Sequence, residues 1–130
     1  DPSIDKAWYV YDYFDSVYKN DLKRFPSLEL LKKIFTTEKF SDIEIKVVET
    51  VHHAKIGRDV LDDPFLKKNH SSQLANLSDE EYQKGIDKIK KQIEKNPETV
   101  FTTSVIFYLT SAKRNKEFKN ANSYKITNQN

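Results

Sequence analysis

Residues 99–109, Thr99-Val100-Phe101-Thr102-Thr103-Ser104-Val105-Ile106-Phe107-Tyr108-Leu109, constrain the fold more than any other stretch. β-Branched and aromatic side chains occupy both alternating faces, which is the composition of a strand covered on both sides inside a sheet. Phe40 to Val51 reads as another strand. Ile43, Ile45 and Val47 alternate with Asp42, Glu44 and Lys46, so one face is buried and the other solvated. Val48 and Val51 depart from that alternation, which predicts a bulge or a move toward the core. A two-stranded ribbon is marginal in water, so strand 99–109 needs neighbours. Either further polypeptide or a second copy of the chain supplies them. These residues alone are therefore expected to self-associate by pairing or exchanging strands.

Helices flank both strands. Ser27 is placed to cap a helix whose inward face carries Leu28, Leu31, Ile34 and Phe35, with Lys32, Lys33 and Glu38 outside. It should end near Thr37–Lys39. Leu77-Ser78-Asp79-Glu80-Glu81-Tyr82 contains a capping box (Ser78 with Glu81) and a hydrophobic staple (Leu77 with Tyr82). Tyr82, Ile86, Ile89 and Ile93 form the inward stripe of that helix, and Asn96-Pro97 stops it. Gly85 costs the helix ~1 kcal/mol relative to Ala, which a close packing contact would justify. Residues 1–26 predict one short helix or two turns, ending before a loop around Lys19–Asp21, and His53–Asp62 a helix ended by Pro64. Asp62-Asp63 is then its solvated end, and 69–76 is a loop. From Ser111 the chain is polar, with disorder expected over 115–130.

The 130 residues suffice for one domain and are too few for two. The expected division is one body over 1–114 and a tail over 115–130. A net charge of +2 provides no strong field for nucleic acid or acidic lipid, and Glu117 interrupts the basic stretch Lys113–Lys119. The absence of Cys removes disulfides, thiolate catalysis and zinc–thiolate sites. No apolar run approaches the roughly 18 residues of a membrane span, and no secretory signal is recognisable, so the cytoplasm is the expected compartment. His52 and His53 would point to opposite faces of a strand, and His70 is the sole further imidazole. A metal site is therefore not expected. No nucleophile motif or paired-carboxylate signature identifies a catalytic residue. Arg24 is placed to hold a carboxylate or phosphate bidentately, or to pair with Asp21.

Several segments carry a family resemblance. Arg24-Phe25-Pro26-Ser27-Leu28, followed by Glu29-Leu30-Leu31-Lys32-Lys33, resembles the start of the helix before the sixth strand of Rossmann-like S-adenosylmethionine-dependent methyltransferases. Lys39-Phe40-Ser41-Asp42-Ile43-Glu44-Ile45 resembles the turn into that strand. Leu77 through Gly85 is similar to the helix that some members place before their last strand, and Phe107-Tyr108-Leu109 resembles that antiparallel strand. The likeness covers about residues 5–114.

The resemblance implies the C-terminal, substrate-side portion of an α/β enzyme. The chain itself reads as α+β, with two main antiparallel strands and three to four helices. Segment 7–25 would then sit over the methyl-transfer pocket, with Trp8, Tyr9, Tyr11 and Tyr13 lining an acceptor site or packing as a lid. Aromatic faces also suit a sulfonium or a cationic acceptor. Arg24 would hold an acceptor anion, and one of His52 and His53 (His53 is the one selected), with Arg58 or Asp59 nearby, would face the acceptor as a proton acceptor. The family holds its cofactor on a glycine-rich turn after its first strand. Gly57 and Gly85 stand far apart here, and neither follows a predicted strand. These residues alone are thus expected to bind no S-adenosylmethionine and to methylate nothing. The missing N-terminal half of the parent is the expected partner, and the acceptor is an unknown small molecule. A chain that starts at Asp1 and contains no Met fits a piece of something longer. A stand-alone interaction module without enzymatic activity is the other reading.

Overall fold

The structure is a computed structural model that describes residues 1–114, so the tail expected over 115–130 lies outside the described residues. The fold is mixed α/β, with five α-helices and a two-stranded antiparallel sheet among the described residues. Helices α1 (Tyr9–Tyr13), α2 (Asp15–Arg24) and α3 (Leu28–Thr37) precede strand β1 (Phe40–Ile56). Three 3-10 turns (Gly57–Asp62, Pro64–Leu66 and Lys68–His70) lead to α4 (Ser72–Ala75), α5 (Asp79–Lys95) and strand β2 (Val100–Arg114). The helix count exceeds the expected three to four because residues 7–25 hold two helices and the expected loop over 69–76 holds α4.

The chain divides into two compact units where one body was expected. The first contains residues 1–25 and 50–106; the described part of the second contains 26–49 and 107–114. In the first unit, Trp8, Tyr9, Val10, Phe14, Val17, Val60, Leu74, Ile89 and Phe101 form the buried core with Leu66, Leu77 and Ile93. The expected loop around Lys19–Asp21 is corrected, since α2 runs through it to Arg24, and the break falls at Phe14 instead. The Phe14 backbone is extended (φ −122°) between α1 and α2, which delivers its buried ring onto Tyr82 at a centroid distance of 5.8 Å. The same ring fills the space that a Cβ at Gly85 would occupy, so that glycine serves the close approach expected of it. Ser78 caps α5 by accepting the Glu81 N–H at 3.1 Å. The return half of the capping box is replaced, because the Glu81 carboxylate accepts from Ser16 Oγ at 3.3 Å.

The expected helix over His53–Asp62 is corrected. The strand continues through His52 and His53 to Ile56, and Gly57 turns the chain at φ 55°. Its N–H donates to Thr99 O at 2.8 Å, and a Cβ there would strike the Pro97 carbonyl. Gly57 therefore directly follows a strand after all, as a lone turn residue. Asp63 is also corrected. Asp62 is exposed as expected, whereas Asp63 is fully buried. Its Oδ1 accepts the Phe65 N–H at 3.0 Å, capping the turn that Pro64 begins.

In the second unit, Ser27 Oγ accepts the Leu30 N–H at 3.1 Å and starts α3. Lys39 adopts a left-handed φ of 68° after the helix, a conformation usually given to Gly. Phe35 and Phe40 then meet edge to face at 5.3 Å. Ile43 and Ile45 are half-buried as the alternation requires, but Val47 is 58% exposed, since no described element covers it. Half-buried positions in β1 stay odd-numbered at Val51, His53 and Lys55, so Val51 needs no bulge and Val48 simply faces solvent. Strand β2 is not interior to a sheet. It pairs with β1 on one edge, and the other edge has a single bridge, Trp8 to Thr103, with the Ser104 N–H donating to Ala7 O at 2.8 Å.

Candidate functional site

The side chains expected to line an acceptor site all belong to the first unit. Trp8 is buried, its backbone bridges Thr103, and its ring meets Tyr11 edge-on at 5.3 Å. Tyr11 meets Tyr18 at 5.0 Å and donates its hydroxyl to Asp21 Oδ2 at 2.8 Å. Asp21 is fully buried, so α2 turns a carboxylate into an aromatic shell of Trp8, Tyr11 and Tyr18. Three polar atoms, Asp21 Oδ1, Trp8 Nε1 and Thr103 Oγ1, are buried without a hydrogen-bond partner. Tyr9 packs edge-on against Phe101 at 5.7 Å and donates its hydroxyl to Asp63 Oδ2 at 2.9 Å. Tyr13 tilts against the same Phe101 ring at 5.6 Å.

These contacts set the electrostatics. Burial first, then the Asp63 charge, pushes the Tyr9 hydroxyl far above the ordinary phenol range. Burial first, then the hydrogen bond to Asp21, does the same to Tyr11. Burial also raises Tyr13. All three phenols stay protonated at neutral pH, with Tyr9 and Tyr11 acting as donors, which excludes the three as general bases there.

The remaining candidates lie apart from this shell. Arg24 does not pair with Asp21: its Nη2 donates to Ser72 Oγ at 3.1 Å, and its guanidinium lies over the Phe25 ring at 5.1 Å. His53 sits in β1, half-buried, with Nδ1 unpartnered and its ring tilted against Phe65 at 5.8 Å. Arg58 is exposed in the first 3-10 turn. A cavity of about 140 Å³ is bounded by Tyr13, Phe14, Leu77 and Gly85 together with the charged Asp15, Glu81, Lys84 and Lys88. A larger one of about 340 Å³ lies along α5. Of the expected site residues, Tyr13 alone lines either of these two.

Asp21 and Asp63 escape a local reading because their partners are remote or on another helix. Asp63 had one local signal, an Asp directly before Pro, which favours a capping turn. Among the described residues, no group of three or more His, Asp or Glu side chains is placed to hold a metal ion, and no helix is long and apolar enough to cross a membrane. Comparison of the chain with known protein families, with curated proteins and with solved structures finds no match.

Proposed function

We propose that this chain is the C-terminal, acceptor-side portion of a Rossmann-like S-adenosylmethionine-dependent methyltransferase. One observation carries the proposal. The described part of the second unit contains no buried side chain. Helix α3 leaves Leu30 and Ile34 close to half exposed, and Val47, Val48, Phe107 and Leu109 are 48–58% exposed. Partial burial on this scale does not offset the backbone entropy of ordering a helix and two strands, roughly 1–2 kcal/mol per residue. Further polypeptide is expected to cover these exposed apolar positions, as the missing N-terminal half of a sheet would. The element order supports the reading: a Ser-capped helix enters β1, and a second Ser-capped helix enters β2.

In this reading the other half holds S-adenosylmethionine, and residues 7–25 with their aromatic shell provide the lid and acceptor recognition. Methyl transfer by single displacement then depends on positioning donor and acceptor. The chain by itself is inactive, and the cytoplasm is the expected compartment. The same exposed apolar residues also favour a second reading, a stand-alone interaction module. The reading frame upstream of Asp1 separates the two. A strand–turn–helix with a glycine-rich turn supports the enzyme, and its absence supports the module.

A further inference from the structure

A groove in the first unit has no role in the preceding reading. Helix α5 aligns Tyr82, Ile86 and Lys90 at four-residue spacing along one face. Leu61 and Leu66 from the 3-10 turns lie opposite, and Lys67 follows them. Together they line the cavity of about 340 Å³, at the lower end of the ~300–1,000 Å³ typical of small-molecule sites. The Tyr82 hydroxyl donates to Leu66 O at 2.7 Å, tying helix to turn beneath the groove.

Charge selects the occupant. Of the surrounding lysines, Lys68 has Asp79 at 2.6 Å and Lys88 has Asp15 at 2.9 Å, whereas Lys84 and Lys91 on α5 have no carboxylate at ion-pair distance among the described residues. Lys67 and Lys90 are exposed, and neither has a carboxylate at ion-pair distance among the described residues. No acidic residue lines the groove. Gln83, which also lines the groove, donates its Nε2 to Asp87 Oδ1 at 2.9 Å. A lining that joins Leu61, Leu66 and Ile86 to two lysines without an ion-pair partner matches a ligand with an apolar body and one anionic end. We propose that this groove binds a small aromatic or aliphatic carboxylate, its body against Leu61, Leu66 and Ile86 and its carboxylate between Lys67 and Lys90.

The test titrates the full chain with 3-phenylpropionate, 3-phenylpropanamide and 3-phenylpropylamine, followed by ¹H–¹⁵N spectra. The carboxylate should give saturable shifts at Leu61, Leu66 and Ile86 and bind roughly fivefold tighter than the neutral amide, as two exposed charge contacts allow. The amine should bind weakest. The double variant Lys67→Gln/Lys90→Gln should reduce the carboxylate's affinity to that of the amide and leave the amide's affinity unchanged. Equal affinities for the three compounds, shifts centred elsewhere, or a double variant that still prefers the carboxylate would overturn the proposal.

Discussion

The Tyr9 hydroxyl donates to the buried Asp63 carboxylate at 2.9 Å, across 54 residues of chain. This bond fastens the aromatic N-terminal segment to the turns that follow β1. Asp63 is fully buried and spends its other oxygen on the Phe65 N–H. Tyr9→Phe would leave Oδ2 without that donor, at a cost of about 1–3 kcal/mol. Urea denaturation should record the loss as a lower midpoint at unchanged slope. An unchanged midpoint would mean the bond does not hold the segment.

The two buried phenols also set an alkaline limit. Folded-state values for Tyr9 and Tyr11 lie above the ordinary 10.0. Their protonated forms therefore contribute stability that is fully present below about pH 10 and is lost as pH rises beyond it, where the unfolded chain releases protons more readily. The unfolding free energy should decline above that pH, and less steeply in Tyr11→Phe. Equal declines in the parent chain and the variant would show that Tyr11 plays no part.

Both glycines occupy positions closed to a side chain. Gly85→Ala forces a methyl into the Phe14 ring and should cost about 1–3 kcal/mol by overpacking. Gly57→Ala combines a left-handed φ with a collision against the Pro97 carbonyl, which is backbone and yields less readily. It should be the more damaging of the two by thermal unfolding, and the reverse order would place the tighter contact at Phe14.

Much of this architecture was legible locally, and the reasons for the rest are physical. Ser27 and Ser78 announce their helices because a cap acts within one turn. Gly85 announces a close contact because it is costly inside a helix. The break at Phe14 was hidden, since the reward for it comes from Tyr82, far along the chain. The continuation of β1 past His53 to Ile56 was hidden as well, because Ala54, Lys55 and Ile56 suit a helix equally. The expected site residues were recognisable as aromatic and cationic types. Their roles depend on Asp21, Asp63, Ser72 and Phe101, whose proximity no local pattern encodes.

The exposed apolar residues of the second unit lead to an association test. Sedimentation velocity should show concentration-dependent association of these residues in isolation, because Val47, Val48, Phe107 and Leu109 present apolar surface beside an incompletely paired strand. Phe107→Lys with Leu109→Lys should shift the distribution toward monomer. A monomer at high concentration in the parent chain would count against apolar residues that need cover.

Calorimetry with S-adenosylmethionine tests the functional reading most directly, performed on these residues alone and on the same residues joined to whatever polypeptide the reading frame encodes upstream. No heat of binding is expected for the first sample, and saturable, one-to-one binding for the second. Tight binding to the residues alone, or none to the joined protein, would contradict that reading.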